Sequence, residues 1–424
     1  MKSKNNHTIT DKTVSLFGKI TQMGLALLTL IFTTQLSAQD VYVAGEANQV
    51  ATVWKNGTAQ NLTNGSYSAI SNSIFVSGSD VYLAGDENNG TNTVAMLWNN
   101  GAPQYLSDGS KPANANSVFV SNGDVYVAGG EFNGTKSVAK LWKNGTVQDL
   151  SDGTNNAAAM SVFVLGNDVY ATGHESNGTK NVAILWKNGV SQELSDGSNH
   201  AMASSVFVSG NNVYVAGYES NGTNYIAKLW KNGTAQNLTN GGNDAIGASV
   251  FVSGTDVYVA GYESNGTMNV AMLWKNGMPQ ALTNGTTNAV ARSVYVSGND
   301  VYVAGFEGNG DVAMLWKNGV PQTLTNGTTD ALATSVFVDD GQLSTETIVN
   351  PQNNISLYPN PVKDILQIET NQQITSISLY SLTGQVLQTW KNQYNINLSG
   401  YAKGMYFIEI HTPVGKETSK IIKE

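Results

Sequence analysis

The chain has 424 residues, a formal charge of −9 and only 12% charged residues, with 44 glycines, 8 tryptophans, 18 tyrosines and no cysteine. Lack of cysteine excludes disulfides, thiolate metal sites and cysteine nucleophiles, and the presence of one arginine, Arg292, excludes the basic groove that nucleic acid requires. Abundant glycine and aromatics favour an all-β chain of many short strands.

Residues 1–38 read as a signal peptide. Lys2, Lys4, Lys12 and Lys19 precede the apolar run MGLALLTLIF, and the small residues of "LSA" place the cleavage after Ala38. The run from Met23 to Phe32 is too short to cross a bilayer, so no transmembrane span is expected in the mature chain.

A repeat follows. Tyrosines of a recurring "VY" step fall at 42, 82, 126, 170, 214, 258 and 302, one spacing of 40 and then five of 44, and tryptophans at 54, 98, 142, 186, 230, 274 and 316 count seven copies independently. Each copy holds four short strand-like segments, as in ASVFVSGTDVYVAGYESNGTMNVAMLWKNGMPQALTNG at 248–285. Asn-Gly, the turn pair that tolerates two positive φ angles, follows every one of these tryptophans. A four-stranded antiparallel unit of this length, repeated seven times, predicts a seven-bladed β-propeller over 39–340. The first copy lacks its initial strand and the last copy ends after it. Ser335–Val338 is therefore expected to pair with Val41–Ala44 and close the ring, hiding the open edges. Small residues at alternate positions, such as Ala157, Ala159 and Ser161, or Ala331, Ala333 and Ser335, suit a crowded strand near the axis.

Singular groups suitable for catalysis are scarce, because the copies offer the same side chains seven times. No catalytic residue, metal ligand set or phosphate loop is predicted. His200 and Arg292 read as surface residues, Arg292 just ahead of a strand. Glu46, Glu87, Glu131, Glu175, Glu219, Glu263 and Glu307 recur at the end of the second strand. Two readings stay open: each accepts amides of its own turn or bonds an adjacent blade, or together they form a rim for a ligand or a cation such as calcium. Otherwise no cofactor is expected. Gln60, Gln104, Gln148, Gln192, Gln236, Gln280 and Gln322 on the outermost strand read as structural hydrogen-bonding groups, and the repeated tryptophans as core.

One position varies from copy to copy. Between the repeated Gly and Glu stand Asp86, Gly130, His174, Tyr218, Tyr262 and Phe306. Aromatic rings stack on sugar C–H groups while carboxylates take hydroxyls, so Tyr218, Glu219, Tyr262, Glu263, Phe306 and Glu307, with His174 and Glu175 beside them, are the candidate ligand-binding residues.

Residues 341–354 read as a polar linker, and 355–424 alternate apolar and polar positions over several short strands, a small Ig-like β-sandwich. "YPNP" at Tyr358, Pro359, Asn360 and Pro361, "LYSLTGQVL" at 379–387, "LSGYAKGMYFIEI" with Gly404 and Tyr406, and "KIIKE" with Lys420 and Lys423 together resemble the type A sorting domain of the type IX secretion system. That resemblance implies export across an outer membrane by the type IX machinery, with the cargo left on the cell surface or released. The expected function is a monomeric, non-catalytic surface propeller that binds a glycan or protein partner. A carbohydrate-active hydrolase or lyase on the same scaffold, or a purely structural surface protein, are the competing readings.

Overall fold

Asn-Gly does in the structure what its chemistry allows. In every copy the Asn has φ near 50° and the Gly near 80°, the type I′ geometry that matches strand twist, as at Asn276 (52°) and Gly277 (79°). The computed structural model describes residues 39–308, 310–339, 355–370, 372–381, 386–412 and 415–424. The expected leader, 1–38, and linker, 341–354, lie outside them. The described residues contain strands and no helix.

Seven four-stranded antiparallel sheets follow one another. Sheet 1 combines Ala331–Asp339 with Asp40–Ala47, Val50–Lys55 and Thr58–Asn61; sheets 2 to 7 span 69–105, 113–149, 157–193, 201–237, 245–281 and 289–323. In sheet 1, Val41, Tyr42, Val43 and Ala44 pair with Val338, Phe337, Val336 and Ser335, the pairing expected from the two incomplete copies.

The words "SVFV" and "VAG" have separate structural jobs. The innermost strand is bulged in register, between Gly247 and Ser249 in sheet 6, and the partner strand crosses it so closely that only glycine fits. A Cβ on Gly261 would stand 1.9 Å from the carbonyl oxygen of Ile246 and 3.1 Å from the ring of Trp274. After the bulge, the serine hydroxyl accepts an amide from the next sheet. Val118 N–H donates to Ser73, Val162 to Ser117, Val206 to Ser161, Val250 to Ser205, Val294 to Ser249, Val336 to Ser293, and Ile74 to Ser335, all at 3.1–3.3 Å. The phenylalanines touch in the same succession, Phe75, Phe119, Phe163, Phe207, Phe251, Tyr295 and Phe337, and Phe337 meets Phe75, with centroids 4.7–5.1 Å apart. Both series return to their starting sheet.

Between sheets the seven tryptophans are 0–2% exposed, packed among alanines and valines. Outside them, each outermost glutamine lies over the following sheet's turn glycine: Gln236 Nε2 is 3.0 Å from where a Gly277 Cβ would be, and Gln322 stands likewise to Gly57 at 3.3 Å. The rim bearing the Asn-Gly turns is stitched by one motif. In sheet 6, Asn276 accepts the Val257 amide at 2.8 Å and donates to Asp256, while Lys275 pairs with Asp256 at 2.7 Å and covers the ring of Tyr258.

In 355–424, a three-stranded sheet (Ser356–Tyr358, Ile365–Glu369, Asn395–Asn397) and a four-stranded one (Val386–Trp390, Ser376–Tyr380, Gly404–Thr412, Gly415–Lys423) share one core that includes Leu366, Ile377, Leu379, Ile396, Ile408 and Ile421.

Candidate functional site

The rim opposite the Asn-Gly turns holds the varied residues, and strand register corrects their alignment. Glu46 pairs with Leu332, as Asp86 pairs with Ile70, His174 with Ala158, Tyr218 with Met202, Tyr262 with Ile246 and Phe306 with Val290. Glu46 is thus the first member of the varied series, and Ala47, opposite Ala331, occupies the place of the repeated glutamate. The turn after Glu46 is shorter than in the other copies, so the Gly-Glu word alone misaligned it.

Among the described residues, the repeated glutamates do not accept the amides of their own turns. Asparagine does: Asn265 Oδ1 takes the N–H groups of Thr267 at 3.0 Å and Met268 at 2.9 Å, and Asn89, Asn133, Asn177 and Asn221 act alike. Glu46, at the varied position, does take an amide of its turn, from Gln49 at 3.0 Å. Glu219 pairs with Lys228 at 2.8 Å and Glu131 with Lys140 at 3.4 Å. Glu307 accepts the Thr287 hydroxyl at 3.1 Å. Glu175 and Glu263 are half-buried and pushed above the usual carboxylate range by that burial, with Asp152 and Glu193 adding repulsion at Glu175. Among the described residues, no three His, Asp or Glu side chains converge as metal ligands.

The varied series divides the rim into two arcs. On sheets 1 and 2, Glu46 and Asp86 are half-buried acids. Asp86 accepts the Ala115 amide of sheet 3 at 2.8 Å and Asn72 Nδ2 at 3.1 Å, yet burial outweighs these bonds and raises its pKa to about 6. Burial likewise raises Glu46. Sheet 3 has no side chain here, Gly130, and on sheet 4 His174 is held below its usual pKa by burial, its Nδ1 buried without a partner. On sheets 5 to 7 stand Tyr218, Tyr262 and Phe306, each half-buried. Tyr218 meets Tyr225 edge-on at 4.8 Å, so the predicted arc gains a fourth ring, and Tyr225 N–H is fixed by Asp244 at 2.8 Å.

Arg292 lies within the innermost strand Ala289–Ser297 and not ahead of a strand. Its guanidinium sits over the Phe306 ring, 5.5 Å from the centroid. The only sequence signal for this placement was that no other arginine exists. His200 is also not a solvated surface group: it is half-buried, and its Nδ1 accepts the Asn181 amide at 3.1 Å.

In 355–424 the separate words of the sorting pattern meet. Asn360 donates to the Lys420 carbonyl and accepts the Ile422 amide, both at 2.9 Å; Val362 N–H donates to the Ile422 carbonyl and Glu424 N–H to that of Val362. "YPNP" is therefore tied to "KIIKE", while Tyr358, Pro359 and Pro361 stay exposed. Tyr406 packs edge-on against Tyr401 and donates to the Ala402 carbonyl at 2.8 Å. Lys420 is exposed and Lys423 is 7% exposed.

Residues 356–424 match the family described as secretion system C-terminal sorting domain. This segment is a type IX sorting domain. The protein is accordingly exported by the type IX machinery to the cell surface or the extracellular space. No curated protein matches the chain. A solved structure of TolB from Agrobacterium tumefaciens is similar over 71% of this chain and 98% of its own, with 9% identity and a TM-score of 0.38. Among the described residues, no helix is long and apolar enough to cross a membrane.

Proposed function

We propose that residues 39–340 are a closed seven-bladed β-propeller that binds saccharide without catalysis, preceded by a signal peptide at 1–38, joined by a linker at 341–354 and exported by an Ig-like sandwich at 355–424. The returning serine and phenylalanine series and the pairing of 331–339 with 40–47 support the ring. The observation that carries the binding function is the arc of Tyr218, Tyr262 and Phe306, set at one register position on three successive sheets and half-open to water, with Tyr225 extending it. Aromatic faces at a shared height suit successive sugar rings, and Glu263 and Glu307 beside them suit hydroxyls. The protein acts as a monomer in this reading.

The test is a glycan screen of the exported protein against the variant carrying Tyr218→Ala, Tyr262→Ala and Phe306→Ala. Loss of at least about tenfold in affinity is expected; unchanged binding to every glycan the parent holds overturns the reading. A hydrolase is the second reading, favoured by Asp86, whose raised pKa is what a proton donor needs. Glycan cleavage that disappears in Asp86→Asn would install it in place of the first.

A further inference from the structure

Arg292 is the cation of this rim that nothing in the fold accounts for. Ion pairs among the described residues engage lysines and one histidine, and none includes Arg292. The chain carries nine more acids than bases, so an arginine without a carboxylate is not explained by a shortage of partners. At the equivalent place on the other innermost strands stand Thr334, Asn72, Asn116, Met160, Ser204 and Ala248. Thr334, Asn72 and Asn116 spend their polar groups on a carbonyl of the following sheet: Thr334 on Ser71, Asn72 on Ala115 and Asn116 on Ala159. Arg292 makes no such bond among the described residues; its neighbours are the Phe306 ring below it and the Tyr262 phenol of the preceding sheet.

The environment is wet and enclosed at once. Arg292 is exposed to water, yet protein surrounds it closely enough for burial to lower its pKa, with Tyr262 opposing. Removing part of the hydration of a guanidinium without supplying an anion is unfavourable, and an arriving anion reverses that loss. The aromatic arc runs up to this guanidinium; Glu307 on the same sheet accepts the Thr287 hydroxyl, Glu46 stands on the adjoining sheet 1 and Asp86 on sheet 2, and none of the three forms an ion pair with Arg292 among the described residues.

Resting on the saccharide reading above, we infer that the bound saccharide is anionic, and that the Arg292 guanidinium holds its carboxylate or sulfate group while Tyr262 and Phe306 hold the sugar ring that carries it. The planar fork of arginine matches both groups in a paired hydrogen bond, and lysine does not reproduce that geometry. The Phe306 ring beneath the guanidinium favours its staying at this end of the arc.

The experiment uses the exported protein and matched glycan pairs: galacturonate and mannuronate oligosaccharides against their methyl esters, and sulfated galactan oligosaccharides against the desulfated forms, by calorimetry. The acidic member of at least one pair is expected to bind about tenfold tighter or more. Which pair responds separates carboxylate from sulfate. Arg292→Ala should remove the difference between acidic and neutral members, and Arg292→Lys should restore part of it, more weakly as salt rises. Alanine already fills this place in sheet 6 as Ala248, and an unchanged urea midpoint confirms that the variant folds. Equal binding of acidic and neutral members by the parent overturns the inference and leaves the saccharide reading standing, as does a preference that survives in Arg292→Ala. No binding to any member overturns the inference, while the glycan screen of the parent against the triple variant decides the saccharide reading separately.

Discussion

At the rim of the Asn-Gly turns, the Asp256, Tyr258, Lys275 and Asn276 set of sheet 6 recurs in sheets 1, 3, 4 and 7, and sheets 2 and 5 each change one member, to Asn99 and Asn212. At the other rim, the place of Tyr262 is filled by Glu46, Asp86, Gly130, His174, Tyr218 and Phe306, six residue types over seven sheets. Both rims are ends of the same strands, so strand formation does not explain the difference. Where every sheet must make the same tight turn and grip the same neighbour, one solution is reused. Where sheets need only lie side by side, each side chain is free to serve something else. Repeated positions should therefore act on stability, equally in any sheet and in proportion to how buried their contacts are, and varied positions on ligand binding or pH response.

The largest expected effect is at the close crossing. Gly261→Ala drives a methyl group into the Ile246 carbonyl and should cost about 3 kcal/mol or more in urea denaturation. Gly173→Ala and Gly305→Ala, facing carbonyls at 1.9 and 2.0 Å, should cost the same. A wide spread among the three would break the comparison.

Next comes Asp86, a varied position whose effect depends on pH. Its folded pKa, about 6, lies above the ordinary 3.8, so between those values the folded protein holds a proton that the unfolded chain releases. Stability from this group is therefore greatest below about pH 4 and falls as pH rises through 6, by about 3 kcal/mol in all. Asp86→Asn should gain on the parent between pH 4 and 7; an offset that is the same at both pH values would refute the burial argument.

Smaller again is Ser249→Ala, which leaves the Val294 amide without its acceptor and should cost about 1 kcal/mol, matched by Ser205→Ala. The smallest is Lys55→Met, which removes an exposed pair with Asp40; its melting temperature should barely move, and less still at high salt.

The repeat, the hairpins and the joining of 331–339 to 40–47 were legible because they rest on spacing and on turn chemistry that few residues can satisfy. The sorting domain was legible as an ordered set of words, though only the structure reveals that Asn360 ties the first word to the last. Arg292 was not legible. The bulge between Ala291 and Ser293 shifts strand parity just where its orientation is decided, so alternation read from sequence breaks down at that residue. The glutamates misled for another reason. Glu and Asn both suit a turn acceptor, and the shorter Asn side chain reaches the amides first.

Sheet 1 draws two stretches of chain together that every other sheet keeps local: Thr334 donates to the Ala44 carbonyl across 290 positions. Without 331–339, the strand at 40–47 has no partner on that side. If the array closes as proposed, this latch makes the ring all-or-none, so damage at either end of the array should loosen the far end as readily as the near one.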